Sequence, residues 1–190
     1  MTLLIMGLLL FIGIHSISIV ALPLRDRLLA GSEAAYKITY SLLSLAGLIM
    51  ISKGYAAARM APVVLYDSPL WLKHVAALLL LPVFVLFLSS VLPGRIKRTV
   101  KNPLLIATKT WAIAHLLVNG TLADVLLFGS FLAWAVLVRI SYKRRPVRDV
   151  PGLPESNMND VLAIVLGLGL YVATVFWLHE SLFGIAPFVR

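Results

Sequence analysis

Two histidines, His15 and His115, stand inside long apolar runs of this chain, far from the charged residues that flank those runs. An ionisable side chain inside a membrane span is costly and is by default a candidate for function. A neutral imidazole is also a good ligand for iron. Two imidazoles at one depth, on helices of opposite direction, can ligate a single haem iron from its two faces. The structural alternative stays beside this one: an intramembrane histidine also serves as an interhelical hydrogen-bond partner, worth about 1 kcal/mol. The other two histidines, His74 and His179, fall near the ends of apolar runs, where interfacial structural roles are expected.

The chain has no cysteine, which excludes disulfides, Cys-ligated iron–sulfur clusters, thiolate-ligated haem and covalent haem attachment. Histidine and the carboxylates remain as strong metal ligands. No Walker A loop, G-x-G-x-x-G fingerprint or H-E-x-x-H helix is present. Gly167-Leu168-Gly169 lies inside an apolar run and suits close helix packing better than phosphate.

The elements that must hold these histidines follow from composition. Of 190 residues 61% are hydrophobic and 13% charged, with a mean hydropathy of +0.97. Soluble domains are nearer 45–50% apolar and roughly 25% charged. The apolar runs are continuous, with no alternation of period two, and in lipid every backbone polar group must be satisfied internally. The expected fold is therefore all-α, a polytopic bundle of about six transmembrane helices in one domain. The spans are expected near residues 3–23, 38–51, 70–92, 104–118, 122–138 and 161–178. The first lacks the basic flank and small-residue cleavage site of a signal peptide and is expected to be retained. A polar stretch holding Arg25, Asp26, Arg27, Glu33 and Lys37 follows it, Asn119-Gly120 predicts a tight turn, and 139–160 is a charged loop.

The net charge of +9 comes from residues in the short gaps between apolar runs, a placement that argues against nucleic acid and for a lipid bilayer with anionic headgroups. The gaps after the first, third and fifth spans carry 12 Lys and Arg, whereas the termini and the other two gaps carry 4. The positive-inside rule places the first set in the cytoplasm and both termini outside, in the periplasm of a bacterial inner membrane.

That orientation fixes depth. His15 is about twelve residues into its span, roughly 18 Å from the outer face, and His115 about eleven residues into a span entering from the cytoplasm, roughly 17 Å deep. In a hydrocarbon core ~30 Å thick both lie near the midplane. A haem between them needs cations for its propionates. Lys109, six residues from His115 towards the cytoplasm, and Arg25, ten residues from His15 in the same direction, can supply them. Lys109 can equally be a snorkelling residue. Trp111 shares a helix face with His115 and can pack on the porphyrin. Other Trp and Tyr residues near span ends are ordinary interface anchors. Asp124 follows Thr121 by three residues, which predicts a capping box, with an orienting role towards His115 as the alternative.

Three stretches together resemble a known family: Gly13-Ile14-His15-Ser16 with Arg25; Lys101-Asn102-Pro103, Trp111 to Gly120, Asp124 and Leu127-Phe128-Gly129; and Asn159-Asp160 with Trp177-Leu178-His179. They are similar to the NnrU family of denitrification-associated membrane proteins, and more distantly to plant 15-cis-zeta-carotene isomerase, a membrane enzyme that binds haem b through histidines. The resemblance implies that His15 and His115 match the ligating histidines and that haem b is the cofactor. It also implies respiratory nitrogen-oxide reductases as partners. Ala112 stands where the isomerase has a cysteine, so ligand exchange through a thiolate is absent here, and Asn102-Pro103 replaces the family's common His-Pro. Haem binding survives both departures. A haem-dependent polyene isomerase and a haem-free carrier or assembly factor remain the alternatives.

Reporter fusions check the orientation. A fusion at Arg145 is expected to report cytoplasm and one at the C-terminus the outside; the opposite pattern would invert every depth assigned above.

Overall fold

A computed structural model describes residues 1–144 and 153–187. Among the described residues ten α-helices follow one another: α1 (Thr2–Val20), α2 (Leu22–Gly31), α3 (Glu33–Arg59), α4 (Leu72–Leu80), α5 (Val83–Val91), α6 (Arg95–Val100), α7 (Pro103–Val118), α8 (Leu122–Ser141), α9 (Asn157–Ala173) and α10 (His179–Phe183). A π-helical turn, Thr174–Leu178, joins the last two. The expected all-α fold is what forms. Among the described residues, five continuous helical stretches are long and apolar enough to cross a membrane: Thr2–Val20, Glu33–Arg59, Leu72–Val91, Leu122–Ser141 and Asn157–Phe183. The sixth expected span is the 16-residue α7, about 24 Å long at ~1.5 Å per residue, short of a ~30 Å core. Apolar side chains face outward along these helices, Leu9 at 71% and Leu78 at 72% exposure among them, which is the surface lipid would cover.

Local sequence sets the breaks. The polar stretch after the first span is helical: Pro23 starts α2 after a break at Ala21, and the Ser32 hydroxyl caps α3 by accepting from Ala35 N–H. Pro82 lacks the N–H that would bond the carbonyl one turn back, and it divides α4 from α5. Asn119-Gly120 does not make the tight turn expected of that dipeptide. Leu65 and Tyr66 N–H both donate to the Gly120 carbonyl, Leu122 N–H donates to Val63, and Val64 bridges Thr121 in antiparallel fashion. A Cβ at Gly120 would run into the Tyr66 carbonyl, so the glycine serves close backbone approach.

The described residues of Met1–Tyr66 and Gly120–Arg145 form one compact unit, and those of Asp67–Asn119 and Pro146–Arg190 form a second. Arg145, Arg148 and Arg190, counted above for orientation, lie outside the described residues.

In the first unit α1 and α3 run antiparallel with almost no side chain between them. A Cβ on Gly7 would stand 2.6 Å from Ile51 N, one on Gly47 would stand 3.0 Å from Phe11, and one on Gly54 would collide with Leu4. The pairs 4 with 54, 7 with 51 and 11 with 47 share one register, and Gly47 and Gly54 lie seven residues apart, two turns of one face. Small residues let helix backbones approach where lipid offers no hydrophobic drive. Helix α8 packs on this pair, with Leu127, Phe128, Ala135 and Val138 buried.

In the second unit α5 packs on α7 and, antiparallel, on α9. Gly167 admits Val85, and Tyr171 donates its hydroxyl to the Ala77 carbonyl. Ala76, Ala107, Ala112, Ala114 and Ala163 are almost wholly buried, the small-residue packing expected of a lipid-embedded bundle. At one end Asp160 accepts from Arg95 and Ile96 N–H, capping α6, while Asn159 donates to the Pro93 and Pro154 carbonyls.

Gly54→Val is expected to destabilise the protein in detergent by about 1–3 kcal/mol, the usual penalty of overpacking. Gly13→Ala, where an added Cβ meets nothing, is expected to be neutral or slightly stabilising. Thermal unfolding of both variants separates packing from intrinsic helix propensity.

Candidate functional site

His15 lies on α1 in the first unit. Its Nδ1 is 2.7 Å from the Phe11 carbonyl four residues back. A carbonyl oxygen only accepts, so Nδ1 carries the proton and Nε2 carries the lone pair of the neutral ring. The surroundings are aromatic. The Phe11 ring stacks on the imidazole at 4.1 Å, Tyr40 from α3 lies at 5.1 Å, and Trp134 from α8 meets it perpendicularly at 6.1 Å. Phe131 backs Phe11 at 5.7 Å. The α1–α3 register brings this together, since it continues from Phe11 opposite Gly47 to His15 opposite the turn that holds Tyr40 and Ser44.

His115 lies on α7 in the second unit, and its local geometry repeats that of His15. Its Nδ1 donates to the Trp111 carbonyl four residues back at 2.9 Å. The Trp111 ring lies 5.3 Å from the imidazole, on the shared face expected from the spacing. Ala112, about one turn before His115, and the adjacent Ala114 are fully buried against the bundle. Lys109 is half-buried on the same helix and makes no hydrogen bond or ion pair among the described residues. Arg25 lies on α2, beyond the break at Ala21, and pairs with Asp26 at 3.4 Å. The straight-helix count from His15 to Arg25 therefore does not apply, because they lie on two successive helices.

His74 is in the first turn of α4, and His179 opens α10. His179 donates from Nδ1 to the Ile185 carbonyl at 2.7 Å and packs on Phe183, holding the chain where Gly184 turns with φ +70°. That is a structural role at a helix end. Among the described residues no three His, Asp or Glu side chains converge as a metal site. Axial ligation by two imidazoles does not require one.

Asp124 is the expected cap. Thr121 accepts from Asp124 N–H, and the carboxylate accepts from Thr121 N–H at 2.9 Å and from its hydroxyl at 2.6 Å. The carboxylate also accepts from Tyr55 of α3 at 2.5 Å, and Arg59 lies over the Tyr55 ring. At 5% exposure Asp124 is buried, yet its oxygens are well satisfied. Burial, and after it the Asp124 carboxylate, hold the nearby Tyr66 hydroxyl above its ordinary pKa, so Tyr66 stays neutral.

Tyr40, Trp134 and Tyr55 were not evident as site residues in the sequence. Trp134 and Tyr40 fall near expected span ends, where such rings ordinarily anchor to the interface. The i, i+4 pair Tyr40 and Ser44 on the face of Gly47 is the signal that points to them.

Helices of this length and composition, with two histidines set within them, define a polytopic helical membrane protein. The model of the NnrU protein family matches residues 3–187, nearly the whole chain, and the chain belongs to that family. No curated protein and no solved structure matches it.

The Asp124 network generates a stability prediction. Tyr55→Phe is expected to cost about 1 kcal/mol, one hydrogen bond. Asp124→Ala, which removes the cap and leaves the Tyr55 hydroxyl unpaired, is expected to cost about 2–4 kcal/mol. Unfolding midpoints in detergent, with a Tyr55→Phe/Asp124→Ala double variant, measure the coupling.

Proposed function

We propose that this protein binds haem b with His15 and His115 as its axial ligands and supports nitrogen-oxide respiration in a bacterial inner membrane. The supporting observation is the matched tether on the two histidines. Each donates Nδ1–H to the carbonyl four residues back, at 2.7 and 2.9 Å, which leaves the lone pair on Nε2. Metal-ligating histidines are commonly fixed in this way, because the second hydrogen bond sets both tautomer and ring orientation. The aromatic rings beside each imidazole, Phe11, Tyr40 and Trp134 at His15 and Trp111 at His115, suit a flat apolar macrocycle. The donor set fits the group: neutral nitrogen ligands, with Lys109 as a cation for its carboxylates, while Arg25 on its separate helix pairs with Asp26 instead.

A haem b held by two histidines supplies one-electron transfer. In this reading the residues of the chain hold the imidazoles in one tautomer and exclude water. They also place a lysine where a carboxylate would offset the cost of its burial. The respiratory role, with nitrogen-oxide reductases as partners, rests on the family's association with denitrification. The isomerase alternative loses its thiolate route at Ala112, which is fully buried and carries no thiol.

Protein purified from haem-supplemented cells is expected to show a low-spin haem b spectrum, lost in His15→Ala and in His115→Ala. Inserted wild-type protein with no Soret band would leave the haem-free carrier as the reading. Lys109→Met is expected to weaken haem retention roughly tenfold, with the axial spectrum intact, and Lys109→Arg to restore most of it. Equal retention in Lys109→Met and wild type would remove the propionate role of that lysine.

A further inference from the structure

Two buried side-chain polar atoms in the described residues make no regular hydrogen bond, Trp134 Nε1 and Ser44 Oγ. Both belong to the His15 surroundings. Trp134 meets the imidazole at 6.1 Å with the ring planes at 88°. Ser44 lies one helical turn beyond Tyr40, whose ring is 5.1 Å from the imidazole. Buried donors are almost always satisfied in a folded protein, and a specific exception calls for a partner that occupies the site. In a membrane the demand is stronger, because lipid supplies no water to serve an indole N–H. By contrast Asp124 in the same unit, more deeply buried, takes bonds from Tyr55 and Thr121.

The two atoms have a common chemistry. An indole N–H only donates, and a serine hydroxyl donates or accepts. The occupant must therefore bring an acceptor. Neither atom has a carbonyl of the chain in hydrogen-bonding geometry among the described residues. An acceptor that arrives with a ligand at His15 meets the requirement, and a carboxylate, with two oxygens, can accept from each. Trp134, Ser44 and Tyr40 all lie on the half of the unit expected to face the cytoplasm, the half in which Arg25 also lies.

We propose that Trp134 Nε1–H and Ser44 Oγ–H form a carboxylate-binding subsite beside His15, which receives one propionate of the haem; this rests on the haem reading above. Trp134 and Ser44 are then ligand-binding residues that set how the macrocycle is turned about the His15 axis. The carboxylate takes over the hydrogen bonds that the two donors lack.

The experiment compares haem b with its dimethyl ester, in which both carboxylates are masked, on the intact apoprotein in detergent. Retention is measured by transfer of the bound group to excess apomyoglobin. Wild-type protein is expected to hold free-acid haem at least roughly tenfold better than the ester. Trp134→Phe, which keeps the ring and removes the N–H, and Ser44→Ala are each expected to shrink that ratio about threefold or more, with the Soret position unchanged. The ester is expected to be held equally by wild type and both variants. A ratio unchanged in both variants would overturn the subsite while leaving axial ligation standing. Wild-type protein that takes up neither group fails the haem reading itself, and the subsite with it; the missing Soret band distinguishes that result from the first.

Discussion

Everything in the first unit depends on how closely the backbones of α1 and α3 approach. Lipid is as apolar as leucine, so burying leucine between two helices gains little inside a bilayer, and contact has to come from dispersion over a tight seam. Gly7, Gly47 and Gly54 provide that seam by withdrawing side chains from it. Once Leu4 sits at Gly54 and Phe11 at Gly47, the antiparallel register admits no slip, and the next turn sets His15 beside Tyr40 and Ser44. Helix α8 then lies on the pair and closes the aromatic surround with Trp134. The chemistry at His15 is therefore positioned by residues that have no side chain.

Polar groups obey the same constraint differently. Apart from Trp134 and Ser44, buried heteroatoms among the described residues are answered within the chain, and the answers are mostly local. Both central histidines tie Nδ1 to the carbonyl four residues back, Ser89 does the same with its hydroxyl, and Thr121 and Asp124 cap α8 between them. Among the described residues longer reaches include two at helix ends, Tyr55 to Asp124 and Asp160 to the start of α6, and one along the helices, Tyr171 to Ala77. A membrane bundle built this way keeps most of its hydrogen bonds when a neighbouring helix shifts, because the partner travels on the same helix.

What the sequence made legible is what lipid dictates. Long apolar runs give helices whatever their neighbours, so the all-α bundle follows from composition. The capping box followed from the three-residue spacing of Thr121 and Asp124, because a cap is a local device. The shortfall lies where two distant segments meet. Asn119-Gly120 has the composition of a turn, but pairing with residues 63–66 overrides that preference. The polar stretch around Arg25 has good helix formers and Pro23 at its start, and it folds as α2 where a loop would have served equally well. Trp134 looked like an interfacial anchor because its partner histidine is 119 positions away in sequence. No local pattern records the register that joins them.

The seven-residue interval between Gly47 and Gly54 also determines which changes of chain length this protein can absorb. A single residue inserted between them turns everything beyond it by about 100° about the helix axis. One glycine then faces lipid, a larger residue enters the seam, and the two helices part. Four residues restore the face almost completely, since they make little more than one turn. Length variation within α3 should therefore come in whole turns or be pushed beyond the paired residues 63–66 of the segment between α3 and α4, where no such phase is kept. The seam acts as a reading frame for the helix, and His15 is decoded only while that frame is held.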